Sequence, residues 1–167
     1  GKSVSGPADS GTGSAAGRDY RIARTESEIA GLAASLESVP MFAVDLETTS
    51  LHPMDAEIVG LSFSWKEGEA WYVPVRLPGT HFSGDLFTSD KGADSVAALR
   101  RLKPALENPA VRKCGQNIKY DMLVLRRHGI GLAGVDFDTM VAAYVINPSA
   151  RAFGIDALAL EYLNLEK

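Results

Sequence analysis

Apolar positions in this chain follow two periods. Ile29, Leu32, Ala33 and Leu36 recur at helical spacing, and Thr25 with Glu28 three residues later forms a capping-box pattern ahead of them. Pro40 ends that segment. Residues 41–45 (Met-Phe-Ala-Val-Asp) and 58–65 read as strands. Lys66-Glu67-Gly68-Glu69 reads as a turn, and 70–75 as the returning strand of a hairpin. A shorter strand over 20–22 opens the structured part. Residues 76–92 contain Gly, Pro and Ser and read as a loop.

The second half changes rhythm. Helical spacing predicts a helix over 95–107, with Pro104 placed to kink or reset it. A short strand over 111–115 precedes an amphipathic helix over 117–128, closed by Gly129. Residues 138–146 are helical in pattern and stop at Asn147-Pro148, and 155–163 form the last helix. Strands in series followed by strands alternating with helices predict an α/β domain: a mixed sheet with helices packed on it.

Residues 1–19 lack this patterning. They are Gly, Ser, Ala and Pro with scattered charge, and read as a flexible linker or tail. Gly1-Lys2-Ser3 imitates the end of a phosphate-binding loop, but no strand or glycine-rich turn precedes it. Gly129-Ile-Gly131-Leu-Ala-Gly134 matches a dinucleotide-binding pattern, yet it follows a helix where that pattern requires a strand. His52, His81 and His128 are isolated and read as surface or loop residues.

The chain has 167 residues, 46% of them hydrophobic, enough for about one domain with a core of its own. A single cysteine, Cys114, excludes an intramolecular disulfide framework and fits a reducing compartment. No apolar run approaches the roughly 18–20 residues that cross a bilayer, so a cytoplasmic protein without a membrane partner is expected. The net charge of −4 is unevenly spread. Residues 40–99 carry nine acids and three bases, while 100–130 carry eight bases and two acids. Such a division could set metal ions beside a phosphate-bearing ligand. Charge alone favours the plainer reading, a solvated face on two amphipathic helices.

Chemistry concentrates at two places. Asp45 and Glu47 sit two apart at the end of a strand, so their side chains point the same way. Neighbouring carboxylates in a partly dry site resist joint ionisation and call for a counter-charge. Hard oxygen donors suit Mg²⁺ or Mn²⁺. Thr48, Thr49 and Ser50 add hydroxyls at the strand exit that could hold a substrate end. The second place is Gly115-Gln116-Asn117-Ile118-Lys119-Tyr120-Asp121. Here Asn117 is an apt helix N-cap, and Asp121 lies four residues on along the same helical face.

Taken together and in this order, the two stretches resemble the first two motifs of the DEDD 3′→5′ exonucleases. The likeness is strongest to the proofreading domain of bacterial family A DNA polymerases. It continues through Ile58-Val-Gly60-Leu-Ser-Phe63, Phe137-Asp138-Thr-Met140, Tyr144-Val-Ile-Asn147 and Asp156-Ala-Leu158, covering nearly everything from Tyr20 onward.

The resemblance implies a ribonuclease H-like fold, a mixed β-sheet with flanking helices, and two divalent metal ions, Mg²⁺ or Mn²⁺. It implies that Asp45, Glu47 and Asp121 supply three of four metal-site carboxylates, with Glu47 also helping to orient the attacking water. Leu51 is similar to the residue that packs on the terminal base. Gln116, Asn117 and Tyr120 resemble contacts to the 3′-end of a single strand, and Arg151 a phosphate contact. The implied partners are a single-stranded DNA 3′-end or frayed primer terminus and a polymerase domain in the same polypeptide.

One departure matters. The family's third motif, Tyr-x-x-x-Asp or His-x-x-x-x-Asp, has no match beyond Asp121. Tyr162-Leu-Asn-Leu-Glu166 has the tyrosine spacing but ends in Glu, and reads as a core Tyr with a surface Glu. The expectation is therefore an exonuclease domain over 20–167 that is truncated at its C-terminus and incomplete for catalysis. A ribonuclease-D-like RNA exonuclease and an inactive exonuclease-fold spacer of a polymerase are the competing readings.

Overall fold

The computed structural model describes residues 18–75 and 95–165. The predicted loop over 76–92 and nearly all of the expected tail lie outside them. Six strands and five helices follow in the order β1 (Asp19–Ile22), α1 (Glu26–Ser38), β2 (Met41–Thr48), β3 (Ile58–Lys66), β4 (Glu69–Pro74), α2 (Ser95–Glu107), β5 (Arg112–Gly115), α3 (Ile118–Arg127), β6 (Val135–Asp138), α4 (Thr139–Ile146) and α5 (Ile155–Leu163).

The strands form one sheet in the order β1-β4-β3-β2-β5-β6. β2, β3 and β4 make an antiparallel meander, whereas β1 joins β4, and β5 and β6 extend from β2, in parallel. β2 is therefore the central strand on which both halves converge. Its even positions Phe42, Val44 and Leu46 are buried, while Met41, Asp45 and Glu47 on the alternate positions are exposed.

The buried positions join Leu61, Phe63 and Val73 from the hairpin in a single core. Ile29, Leu32 and Leu36 of α1, Leu102 and Leu106 of α2, and Ile118, Val124 and Leu125 of α3 complete it. Burying a Leu or Phe side chain in such a core contributes about 1.5–3 kcal/mol. The capping box on α1 forms as the sequence predicts: Thr25 Oγ1 accepts from Glu28 N, and Glu28 returns the bond to Thr25 N at 2.9 Å.

Three expectations need correction. Pro104 does not end α2, which runs through it with Leu102, Ala105 and Leu106 anchored in the core. Tyr162 is 53% exposed, not a core residue. Lys113, counted among the surface bases, is wholly buried. Its ammonium donates to the carbonyls of Asn108 at 2.6 Å and Val111 at 2.9 Å and lies 5.4 Å from the centre of the Phe42 ring. Burial holds its pKa below the usual lysine value.

Much of the remaining basic stretch is engaged within the chain. Arg101 pairs with Glu26, Arg112 with Asp136, and Arg127 with Glu57 and the Ala56 carbonyl. The glycine cluster after α3 is a structural turn: Gly129 and Gly134 both have positive φ. A Cβ on Gly134 would lie 2.5 Å from the Val111 carbonyl oxygen.

Candidate functional site

Asp45 and Glu47 face the same side of β2, opposite Ser62 and Gly60 of β3. The register then slips, so that Thr48 stands opposite Ile58. Such a bulge re-aims the strand as it leaves the sheet, a habit of strands beside functional sites. The chain turns through Ser50 and leaves Leu51 98% exposed.

On the neighbouring strand β5, Gly115 permits close approach, since a Cβ there would meet the Val44 carbonyl at 2.9 Å. α3 starts directly after it. The helix buries Ile118, Asp121, Val124 and Leu125 along one stripe, so the periodicity that buries three apolar residues also buries a carboxylate.

Asp121 is the electrostatic centre of the site. It is 2% exposed, and its Oδ2 has no hydrogen-bond partner. Burial, then repulsion from the Asp45 carboxylate, push its pKa up to about 8. The Leu46 backbone N–H opposes the shift, and Asp138 adds to it. A buried acid with an unpartnered oxygen, facing a second acid, is an arrangement that a hard divalent cation would stabilise. The donors present thus fit such an ion. Among the described residues, however, no group of three or more His, Cys, Asp or Glu side chains is gathered closely enough to hold one.

The other expected residues make contacts of their own. The Tyr120 hydroxyl lies 2.6 Å from Thr48 Oγ1 and donates to the Ser50 carbonyl. These two expected DNA contacts therefore hold each other. Gln116 Nε2 donates to the Phe153 carbonyl at 2.7 Å, which draws the loop carrying exposed Arg151 towards α3. Asn117 occupies the N-cap position but makes no side-chain cap. Its backbone is left-handed, at φ 56° and ψ 41°, and its Oδ1 accepts from Lys119 Nζ instead. The cap comes from Asp138, whose Oδ2 accepts from Ile118 N at 2.9 Å.

Two residues here escaped the reading of the sequence. Asp138 marked only a likeness there and the start of a helix. Tyr72 pairs with Ser62 across the hairpin, and its ring occupies the space a side chain at Gly60 would fill. Burial, then the charge of Glu47, raise its pKa. The signal for it was a glycine inside strand β3, which marks close approach by a neighbouring group.

A mixed sheet with acids at the end of its central strand and a third on the helix of the next parallel strand defines a ribonuclease H-like α/β fold. Comparison with known proteins agrees. Residues 20–167 match the family model described as 3′-5′ exonuclease. DNA polymerase I of Pseudomonas aeruginosa is 40% identical over 147 residues, covering 87% of this chain and 15% of the relative.

Among solved structures, the polymerase domain of Pol1 from M. smegmatis, in complex with DNA primer-template and dNTP, superposes with a TM-score of 0.65. The sequence identity is 24%, over 87% of this chain and 23% of that one. Escherichia coli RNase D, an exoribonuclease involved in structured RNA processing, superposes at 0.63 with 16% identity, over 89% and 34%. At these identities the superpositions speak for the fold alone. The chain belongs to the 3′-5′ exonuclease family, and it spans about 15% of the length of the curated DNA polymerase I relative. No described helix is long and apolar enough to cross a membrane.

Proposed function

We propose that the chain is the proofreading exonuclease portion of a DNA polymerase, removing the terminal nucleotide from a single-stranded or frayed DNA 3′-end. The observation that carries this reading is Asp121: buried, unpartnered at Oδ2 and set against Asp45. A family built for phosphodiester hydrolysis gives such a pair of acids a use.

In this reading Asp45, Glu47 and Asp121 hold two divalent ions, Mg²⁺ or Mn²⁺. The chemistry such ions supply is an acidified water and a stabilised leaving oxygen. The protein's own part is positioning. Glu47, exposed at the strand end, orients the water. Leu51, projecting into solvent, packs on the terminal base, since stacking and backbone contact give cleavage without base readout. Gln116, Asn117 and Tyr120 line the path of the strand, with Thr48 at its end and Arg151 beside a phosphate. The Tyr-x-x-x-Asp or His-x-x-x-x-Asp stretch that would supply a fourth carboxylate has no match after Asp121 in this sequence.

RNA is the competing substrate, since the fold of RNase D is similar. The 40% identity to a DNA polymerase I favours DNA. Excision from a mismatched DNA primer, compared with a structured RNA 3′-end, separates the two. Faster loss of the DNA terminus is expected, and preference for RNA would overturn the assignment.

A further inference from the structure

Asp138 stands at the junction of β6 and α4, and its carboxylate receives four backbone N–H groups. Oδ1 accepts from Met140 at 2.9 Å and Val141 at 3.1 Å, the ordinary N-cap of α4. The same oxygen accepts from Asn117 at 3.1 Å, and Oδ2 accepts from Ile118 at 2.9 Å. One carboxylate thus caps two helices whose starts lie 21 residues apart in sequence.

The backbone at Asn117 explains how this is possible. A left-handed residue followed by a helical one turns successive N–H groups into a shared concavity suited to an anion. Asp138 fills that concavity. Its neighbour Thr139 grips the same turn, with Oγ1 lying 3.2 Å from the Gly115 carbonyl oxygen and in contact with Gln116 Oε1. The segment 115–118 is therefore held along its length by two consecutive residues from β6 and α4.

α3 has no cap of its own, because the Asn117 side chain makes none. Asp121 lies one helical turn from the gripped amides. Where α3 begins, and along which axis, decides where the Asp121 carboxylate sits against Asp45. We infer that Asp138 is a positioning residue for the candidate site: by capping α3 from across the fold it fixes Asp121 in place for a divalent cation. This rests on the reading of Asp45 and Asp121 as cation donors.

Asp138→Ser tests the idea, because a serine hydroxyl remains a good N-cap for α4 but is too short to span to α3. In the full chain, hydrogen–deuterium exchange is expected to quicken over 116–121 and stay unchanged over 139–146. Mn²⁺ affinity, read by calorimetry, is expected to weaken about tenfold, as when groups that orient metal ligands are removed. Asp45→Ala is the parallel control. If it abolishes Mn²⁺ binding while Asp138→Ser binds like the parent, the cation site stands and the positioning role is overturned. If Asp45→Ala leaves Mn²⁺ binding intact, the cation reading itself fails and takes this role with it.

Discussion

Tyr120 and Thr48 join the two stretches that carry the candidate acids: their hydroxyl oxygens lie 2.6 Å apart, across 72 residues of sequence. The Tyr120 hydroxyl also donates to the carbonyl of Ser50, so α3 is pinned to the loop that presents Leu51. Tyr120→Phe removes that donor and is expected to destabilise the fold by about 1 kcal/mol. Because both hydroxyls serve one cluster, Tyr120→Phe and Thr48→Val should not add. Thermal unfolding of both single variants and the double variant measures the coupling, expected at about 0.5 kcal/mol or more.

Asp121 makes stability depend on pH. Folded, it keeps its proton up to about 8; unfolded, it releases it near the ordinary 3.8. Between those values the folded state binds more protons, so stability without metal falls as pH rises through the window. Denaturant unfolding in chelator at about pH 5 and about pH 8 should show a loss on the order of a few kcal/mol. Asp121→Asn, which has no proton to lose there, is expected to flatten that slope. A slope that persists in the variant would place its origin in another group.

Lys113 is a structural cation that, among the described residues, bonds backbone carbonyls and no carboxylate. Replacing it with Met keeps the apolar stem and leaves the carbonyls of Asn108 and Val111 without their donor. The expected cost is about 1–3 kcal/mol, measurable as a lowered denaturation midpoint. Excision activity at permissive temperature should be retained, since Lys113 is remote in role from the acids.

Local chemistry made much of the fold legible. Thr25 and Glu28 mark the start of α1 because a capping box is written within four residues. The hairpin from Ile58 to Pro74 was legible because Glu67-Gly68 interrupts two β-forming runs. Position 45 and position 47 could be placed on one face from strand alternation alone.

What escaped depends on distant partners. β6 is four residues long and largely exposed behind a run of glycines, with no alternation to betray it. Residue type alone makes Asn117 the natural cap of α3, whereas the group that caps the helix arrives from Asp138. Lys113 looked like a surface base. Its alternation with Val111 was the available clue, since both point into the core across exposed Arg112. Pro104 shows the converse: anchored neighbours in the core override a local helix breaker. The burial of Asp121 followed a helical stripe visible in the sequence, but its unpartnered oxygen did not.

The most direct test is excision of a mismatched 3′-terminal nucleotide from a DNA primer by the full-length polymerase that would carry this chain, bearing Asp45→Ala, with Mg²⁺ present, relative to the parent. The account predicts loss of Mg²⁺-dependent excision, by about a hundredfold or more, with the fold intact by circular dichroism. Excision at the parent's rate would contradict it, because the acid that faces Asp121 would then have no part in the reaction.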